Sequence, residues 1–199
     1  TIRQTTNPQS SRPRPRSQSS NKAASSFVNT ADNTDEIIGI VDKDGNILKY
    51  VKRGTLQDNQ TWRNVCIWVE NDKNQVLMQQ RQHHKIVNPG LWTCAVEGTI
   101  TEDEPALDTA IREMEEEIGL TSVKLVPTKK LHYKASHGWR LSQGYKAICN
   151  WPVEKFTPQP EEVAQVQWFD RSELIAKLKA GDAMFPPSGK IWLEMFDLL

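Results

Sequence analysis

The chain has 199 residues, and its 25 Lys and Arg balance 25 Asp and Glu, so the formal charge is zero. That balance removes any global electrostatic basis for nucleic acid or an anionic membrane as a partner. No apolar run approaches the ~20 residues a membrane-spanning helix needs. Cys66, Cys94 and Cys149 are too few and too scattered for a disulfide framework or a zinc ribbon, which favours a reducing, cytoplasmic setting.

Residues 1–33 are rich in Ser, Thr, Asn, Gln and Pro, contain Arg12-Pro-Arg-Pro-Arg16 and carry no acid before Asp32. Such a segment buries too little apolar surface to offset its ordering entropy and reads as a disordered basic tail. Its Arg- and Ser-rich composition also suits an organellar transit segment, and a basic arm for a partner is a third reading. The pattern turns globular from residue 34, giving one domain over 34–199.

Strands are expected at 37–41 and 47–51, around the turn signal Asp44-Gly45-Asn46, and at 65–69 and 76–80 on either side of a polar turn. Asn88-Pro89-Gly90 then punctuates the chain before an apolar run at 91–96. Leu107, Ile111, Met114 and Ile118 recur at helical spacing and predict an amphipathic helix buried along that stripe. Pro105 suits its first turn and Gly119 its left-handed stop. Further strands are expected at 123–126, 141–149 and 163–169. Ser172 is expected to cap a helix ending at Ala180 before Gly181. Ser188 is expected to cap a last helix with Ile191, Trp192, Met195, Phe196 and Leu199 on its apolar face. Strands interrupted by one central and two late helices predict an α+β fold, a mixed sheet sandwiched between helices.

The central helix carries the chemistry. Glu113, Glu116 and Glu117 stand at i, i+3 and i+4, so three carboxylates share one face, opposite the apolar stripe. Like charges that close repel, and a hard divalent cation shared with substrate phosphates gives a reason to keep them. Arg112 can orient a glutamate through a bidentate contact, or form an ordinary i,i+4 pair with Glu116.

The stretch Gly98 to Leu120 resembles the Nudix box, GX5EX7REUXEEXGU with U bulky and apolar. Gly98, Glu104, Arg112, Glu113, Met114, Glu116, Glu117, Gly119 and Leu120 fill its fixed positions. Seven of these admit one residue each at roughly 5–7% background, so a chance match is on the order of 10⁻⁹ per window. The resemblance implies the Nudix fold and Mg²⁺- or Mn²⁺-dependent hydrolysis of a diphosphate in a nucleoside diphosphate derivative or related organic diphosphate. It also implies the Gly98 carbonyl, Glu113, Glu116 and Glu117 as metal ligands, with Arg112 orienting them. Glu104 is a further candidate acid or a favourable charge at the helix start. Glu161 and Glu162 are candidates for an acid from a later loop, or a solvated acidic loop.

Gln80-Arg81, Lys85, Pro89-Gly90-Leu-Trp92, Phe185-Pro-Pro and Trp192-Leu193 extend the resemblance to a Nudix subgroup related to isopentenyl-diphosphate isomerase. Arg81 and Lys85 are candidates to meet a phosphate, or are solvated surface cations. Trp139, in an expected loop, is a candidate to stack on the substrate. Relatives often carry Gly-Gly where this chain has Glu97-Gly98. Two other readings remain open: the isomerase, and a non-enzymatic Nudix module that binds without turnover. The isomerase needs a cysteine near position 96, which here is Val96, with Cys94 two residues earlier. An intact glutamate set argues against the binding module.

Overall fold

The computed structural model describes residue 1 and residues 33–199, so the expectations for the N-terminal tail lie largely outside the described residues. The strands are β1 (Ile37–Val41), β2 (Ile47–Lys52), β3 (Thr61–Glu70), β4 (Gln75–Arg81), β5 (Trp92–Cys94), β6 (Val96–Thr99), β7 (Val126–Lys134), β8 (Trp139–Ile148) and β9 (Val163–Asp170). The helices are α1 (Ala106–Ile118), α2 (Arg171–Ala180) and α3 (Lys190–Met195).

β3 organises the sheet. Along one edge it pairs in parallel with β8, from Thr61↔Trp139 to Glu70↔Ile148. Along the other it meets three antiparallel strands in turn: β1 at Thr61 and Trp62, β6 at Asn64 to Ile67, and β4 at Val69 and Glu70. β4 continues away with β5 and β9, so β6 and β4 diverge and leave a fork in the sheet. The period-2 alternation of β3 builds both cores. Val65, Ile67 and Val69 pack with Ala110, Met114 and Ile118 of α1 on one face. Cys66 and Trp68 pack with Leu174 of α2, Trp192 of α3 and Phe196 just beyond α3 on the other. The mixed sheet is therefore sandwiched between helices, as the element order predicts. Among the described residues no helix is long and apolar enough to cross a membrane.

The helix stripe differs from expectation. Leu107 and Ile111 are 43% and 48% exposed, whereas Thr109, Ala110, Met114, Glu117 and Ile118 are buried. α1 is rotated so that its glutamate face turns partly inward instead of lying opposite the core. Met114→Ala is accordingly expected to cost about 2–5 kcal/mol in urea denaturation, and Ile111→Ala less than about 0.5 kcal/mol. Equal losses would restore the stripe.

Other boundaries shift for local reasons. Residues 123–125 are irregular, and the strand runs over β7 instead, with a mostly exposed, Lys-rich pattern. Its sequence lacks apolar alternation because it is an edge strand paired only with β8, where Lys and Pro127 are tolerated. Ala95 separates β5 from β6 within the single expected run at 91–96. Pro105 is the N-cap residue of α1 and lies outside its first turn. Asp170, not Ser172, caps α2, accepting from the Ser172 and Glu173 amides at 2.9 and 3.0 Å. Ser188 sits in a 3₁₀ turn before Gly189 and α3, and Leu199 is 83% exposed.

Candidate active site

The fork between β6 and β4 opens into a cleft with two adjoining lobes that share Arg53, Arg81, Glu97, Gly98 and Thr99. β6 delivers Gly98 opposite Val65, on the sheet face that α1 covers. A Cβ on Gly98 would stand 2.2 Å from Glu113 Cγ, so glycine is what lets this carboxylate lie against the strand. Gly119, at φ 67° and ψ 17°, ends α1 one turn beyond these acids.

Arg112 organises the helix face. Its Nε and Nη2 donate to both Glu104 oxygens at 3.1 and 3.0 Å, a bidentate contact. Its Nη1 lies 3.0 Å from both Glu113 Oε1 and Glu116 Oε2. The guanidinium holds the Glu104 carboxyl below its usual range. Burial drives Glu113 the other way, to about 7 against the pull of Arg112. Glu117 is 5% exposed and rises to about 8, first through burial and then through the neighbouring Glu113 charge. Gln79 Nε2 donates to Glu117 Oε2 at 3.0 Å, while Gln79 Oε1 is buried without a hydrogen-bond partner.

The α1 lobe is lined by Glu36, Glu113, Glu116, Glu117 and Glu162, with Glu97 at its seam with the second lobe, and by three guanidiniums (Arg53, Arg81 and Arg112). Carboxyl oxygens gathered in this way suit a hard divalent cation, whose binding would displace the protons that burial favours on Glu113 and Glu117. Among the described residues no three His, Cys, Asp or Glu side chains already converge as a finished metal cage. Glu113 and Glu116 are drawn onto Arg112 instead.

The remaining sequence candidates divide. Arg81 reaches the cleft, its Nε donating to the Val87 carbonyl at 3.0 Å. Glu162 lines the α1 lobe, on a loop tied to α1 through Gln159 N→Glu117 O at 2.9 Å. Glu161 does not line it: this residue is exposed, and its carbonyl lies 3.2 Å from His84 Nε2. Lys85 is not a surface cation, with a side chain 2% exposed and 2.7 Å from Glu162 Oε1. It backs the loop acid from behind the cleft wall, because a buried ammonium requires a counter-charge. Trp139 begins β8 and is not in a loop; it stacks on His132 at 4.9 Å, away from the cleft lining.

The second lobe, of about 300 Å³, contains His137 together with Trp62, Asn64 and Arg140, and these last three are not singled out as site residues by the sequence motifs. The Arg140 guanidinium lies 3.4 Å above the Trp62 ring, and burial lowers its pKa to about 10. Glu36 and Arg53, paired at 2.8 Å, close the mouth from the first hairpin. The Val-Gln-rich strands gave no signal for Gln79. The β3–β8 register, which brings Arg140 beside Trp62, is non-local and invisible in spacing.

A family model described as NUDIX domain matches residues 60–188. Among curated relatives, the isopentenyl-diphosphate Delta-isomerase of Clavibacter sepedonicus is 28% identical over 169 residues, covering 80% of this chain and 85% of that one. The enzyme of the same name from Dinoroseobacter shibae is 34% identical over 128 residues, covering 61% and 69%. A solved protein of Deinococcus radiodurans superposes with TM-score 0.69 at 16% identity, covering 81% of this chain and 99% of its own. A MutT protein of Methanosarcina mazei gives 0.56 at 18%, covering 72% and 96%. At those identities the superpositions speak for the fold alone. With the complete glutamate box on α1, the matching domain model and this sheet, the chain belongs to the Nudix family.

Proposed function

We propose that this chain hydrolyses the diphosphate linkage of an organic diphosphate with the help of Mg²⁺ or Mn²⁺. The observation that carries the reading is the α1 lobe, where Glu113, Glu116 and Glu117 gather beside Gly98 within the same lining as three guanidiniums. In the reaction, water adds to one phosphorus, the bridging P–O bond breaks, and two phosphorylated products leave. A bound divalent cation would neutralise charge on the diphosphate and make a water molecule more acidic. The Gly98 carbonyl, Glu113, Glu116 and Glu117 would hold that cation. Arg112, anchored by Glu104, keeps the Glu113 and Glu116 carboxylates from splaying into solvent. Arg81 and Arg53, common to both lobes, are positioned to meet phosphate oxygens. The test is a panel of organic diphosphates read by phosphate release, with Mg²⁺, Mn²⁺ and a chelator compared. No cation-dependent release from any of them would defeat the proposal.

Isomerisation of isopentenyl diphosphate is the second reading, favoured by the names of the curated relatives. Against it stand the thiols: none of the three cysteines lines either lobe of the cleft. Cys66 and Cys94 are fully buried, and burial pushes both well above the ordinary thiol range, which favours inert sulfur. Cys94→Ala is therefore expected to leave turnover within about twofold, checked at saturating substrate alongside an assay for allylic product from isopentenyl diphosphate. Loss of an isomerase activity in a folded Cys94→Ala protein would reverse the ranking.

A further inference from the structure

We propose that Glu97 is a specificity residue, its carboxylate accepting a hydrogen bond from an N–H or O–H of the substrate's non-phosphate group. The proposal rests on the hydrolase reading for the phosphate end and concerns the other end of the same cleft.

Strand parity supplies the argument. Residues opposite one another on neighbouring strands project to the same face. Trp62 is opposite Arg140, and Asn64 is opposite both Ser142 and Thr99. Cys66 is opposite Glu97. These residues form one ladder on the sheet face away from α1, and Trp62, Asn64, Arg140 and Glu97 floor the second lobe. Gly98, next in sequence, projects to the α1 face beside Glu113. Glu97 thus stands at the seam: it is covalently next to the phosphate end but faces the end that receives the rest of the substrate.

The polar groups on this floor are shielded and only partly engaged. Glu97 Oε1 accepts from the Cys66 thiol at 3.7 Å, a long contact with a poor donor, and the Trp192 indole is its other protein donor; burial raises this carboxyl against the pull of Arg81 and Arg140. Among the described residues no ion pair joins Glu97 to Arg140 or Arg81. Arg140 spends Nη1 on the His137 carbonyl at 2.7 Å, and its plane rests on Trp62. A carboxyl group offers about four acceptor sites when ionised and still accepts on its carbonyl oxygen when protonated, and a guanidinium donates five, so both retain capacity toward the lobe. Asn64 between them is held rigid, its Oδ1 accepting from Ser142 Oγ, which is 3.1 Å from Tyr133 Oη.

A hydrocarbon head group entering this lobe would strip water from Glu97 and Arg140 and return nothing. A head group carrying a donor for Glu97 beside an acceptor for Arg140 satisfies both. Sites built on such buried polar groups reject analogues that lack the matching atoms far more strongly than apolar pockets do. A glycine at position 97 would present no acceptor at all.

The experiment uses the full chain, wild-type and Glu97→Gln. Its probes are the four common nucleoside 5′-diphosphates, all bearing donors, and isopentenyl diphosphate, whose hydrocarbon bears none. Wild-type kcat/KM for the best nucleoside diphosphate is expected to exceed that for isopentenyl diphosphate at least a hundredfold. Glu97→Gln should raise KM for that nucleotide about tenfold or more, with kcat within threefold and the isopentenyl KM unmoved. Equal KM shifts for both probe types would mark a merely structural counter-charge. A fall in kcat alone would assign Glu97 to the chemistry, and either result overturns the proposal. Should Glu97→Gln fail to fold, binding of both probe types to the wild-type chain in chelator decides. A nucleotide preference of at least tenfold supports the proposal, and equal affinities overturn it. Absence of turnover for every probe defeats the hydrolase reading, and the binding comparison still judges Glu97.

Discussion

Glu117→Gln is expected to lower kcat by roughly a thousandfold or more while the fold persists, because under the proposed reaction it removes one of the carboxylates that would hold the cation and orient the attack. Stability should move the other way. In the folded chain Glu117 is raised to about 8 from 4.5, chiefly by burial, so between those values the folded state keeps a proton that the unfolded state has released. The unfolded state then binds fewer protons, and stability falls as pH rises through that window. The contribution is intact below about pH 4.5 and lost above about pH 8. Without divalent cation, wild-type stability should therefore decline from pH 5 to 8 by an amount on the order of a few kcal/mol, and Glu117→Gln should flatten the decline. Added Mg²⁺ or Mn²⁺ should raise the wild-type Tm by mass action and the variant's less. Wild-type turnover in Glu117→Gln would remove this residue from the site, and the same result for Glu116→Gln would remove α1 from the chemistry.

Much of the α1 lobe is legible in the sequence because its spacing is local. Glu113, Glu116 and Glu117 lie within one and a half turns, Gly119 ends the helix, and Arg112 reaches Glu113, Glu116 and, just before the helix, Glu104. The sheet strands with strong apolar content, β1, β3, β4, β8 and β9, are legible for the same reason. Spacing misleads where polarity and burial part company. Leu107 and Ile111 extend an apolar stripe that faces solvent, because α1 rotates to bring Glu113 and Glu117 toward Gly98 and Gln79. β7 goes unassigned beyond Val126 in the sequence because an edge strand needs no alternating apolar pattern. The second lobe is illegible for a different reason. Arg140 meets Trp62, and Glu97 meets Cys66, only through the register of β8 and β6 on β3, which no local window contains. Trp139 stands beside Gly138 in sequence, at the turn into β8. Parity sends its side chain to the face opposite Arg140, and the cleft receives Trp62 instead.

Gly98→Ala is the smallest change expected to disable the site. The glycine is not needed for its backbone angles, since φ at this position is not positive. A strand ordinarily gains from such a replacement, because alanine loses less conformational freedom on folding than glycine. Here the new methyl would lie 2.2 Å from Glu113 Cγ and 2.6 Å from its Cδ, well inside contact distance. Val65 and α1 fix the strand from either side, so the Glu113 side chain has to move. That breaks its 3.0 Å contact with Arg112 and takes one carboxylate away from the proposed cation. A misplacement of about 1 Å in a positioned group can cost roughly a hundredfold in rate, and kcat should fall by at least that much. The loss of metal-free stability should stay within about 2 kcal/mol, because an end-chain carboxylate yields more readily than backbone. A double-mutant cycle separates the causes. Adding Glu113→Ala to Gly98→Ala removes the clash, so the pair should recover the stability of Glu113→Ala alone without recovering turnover. A Gly98→Ala chain that turns over like wild-type would mean that Glu113 performs no positioned task in this cleft.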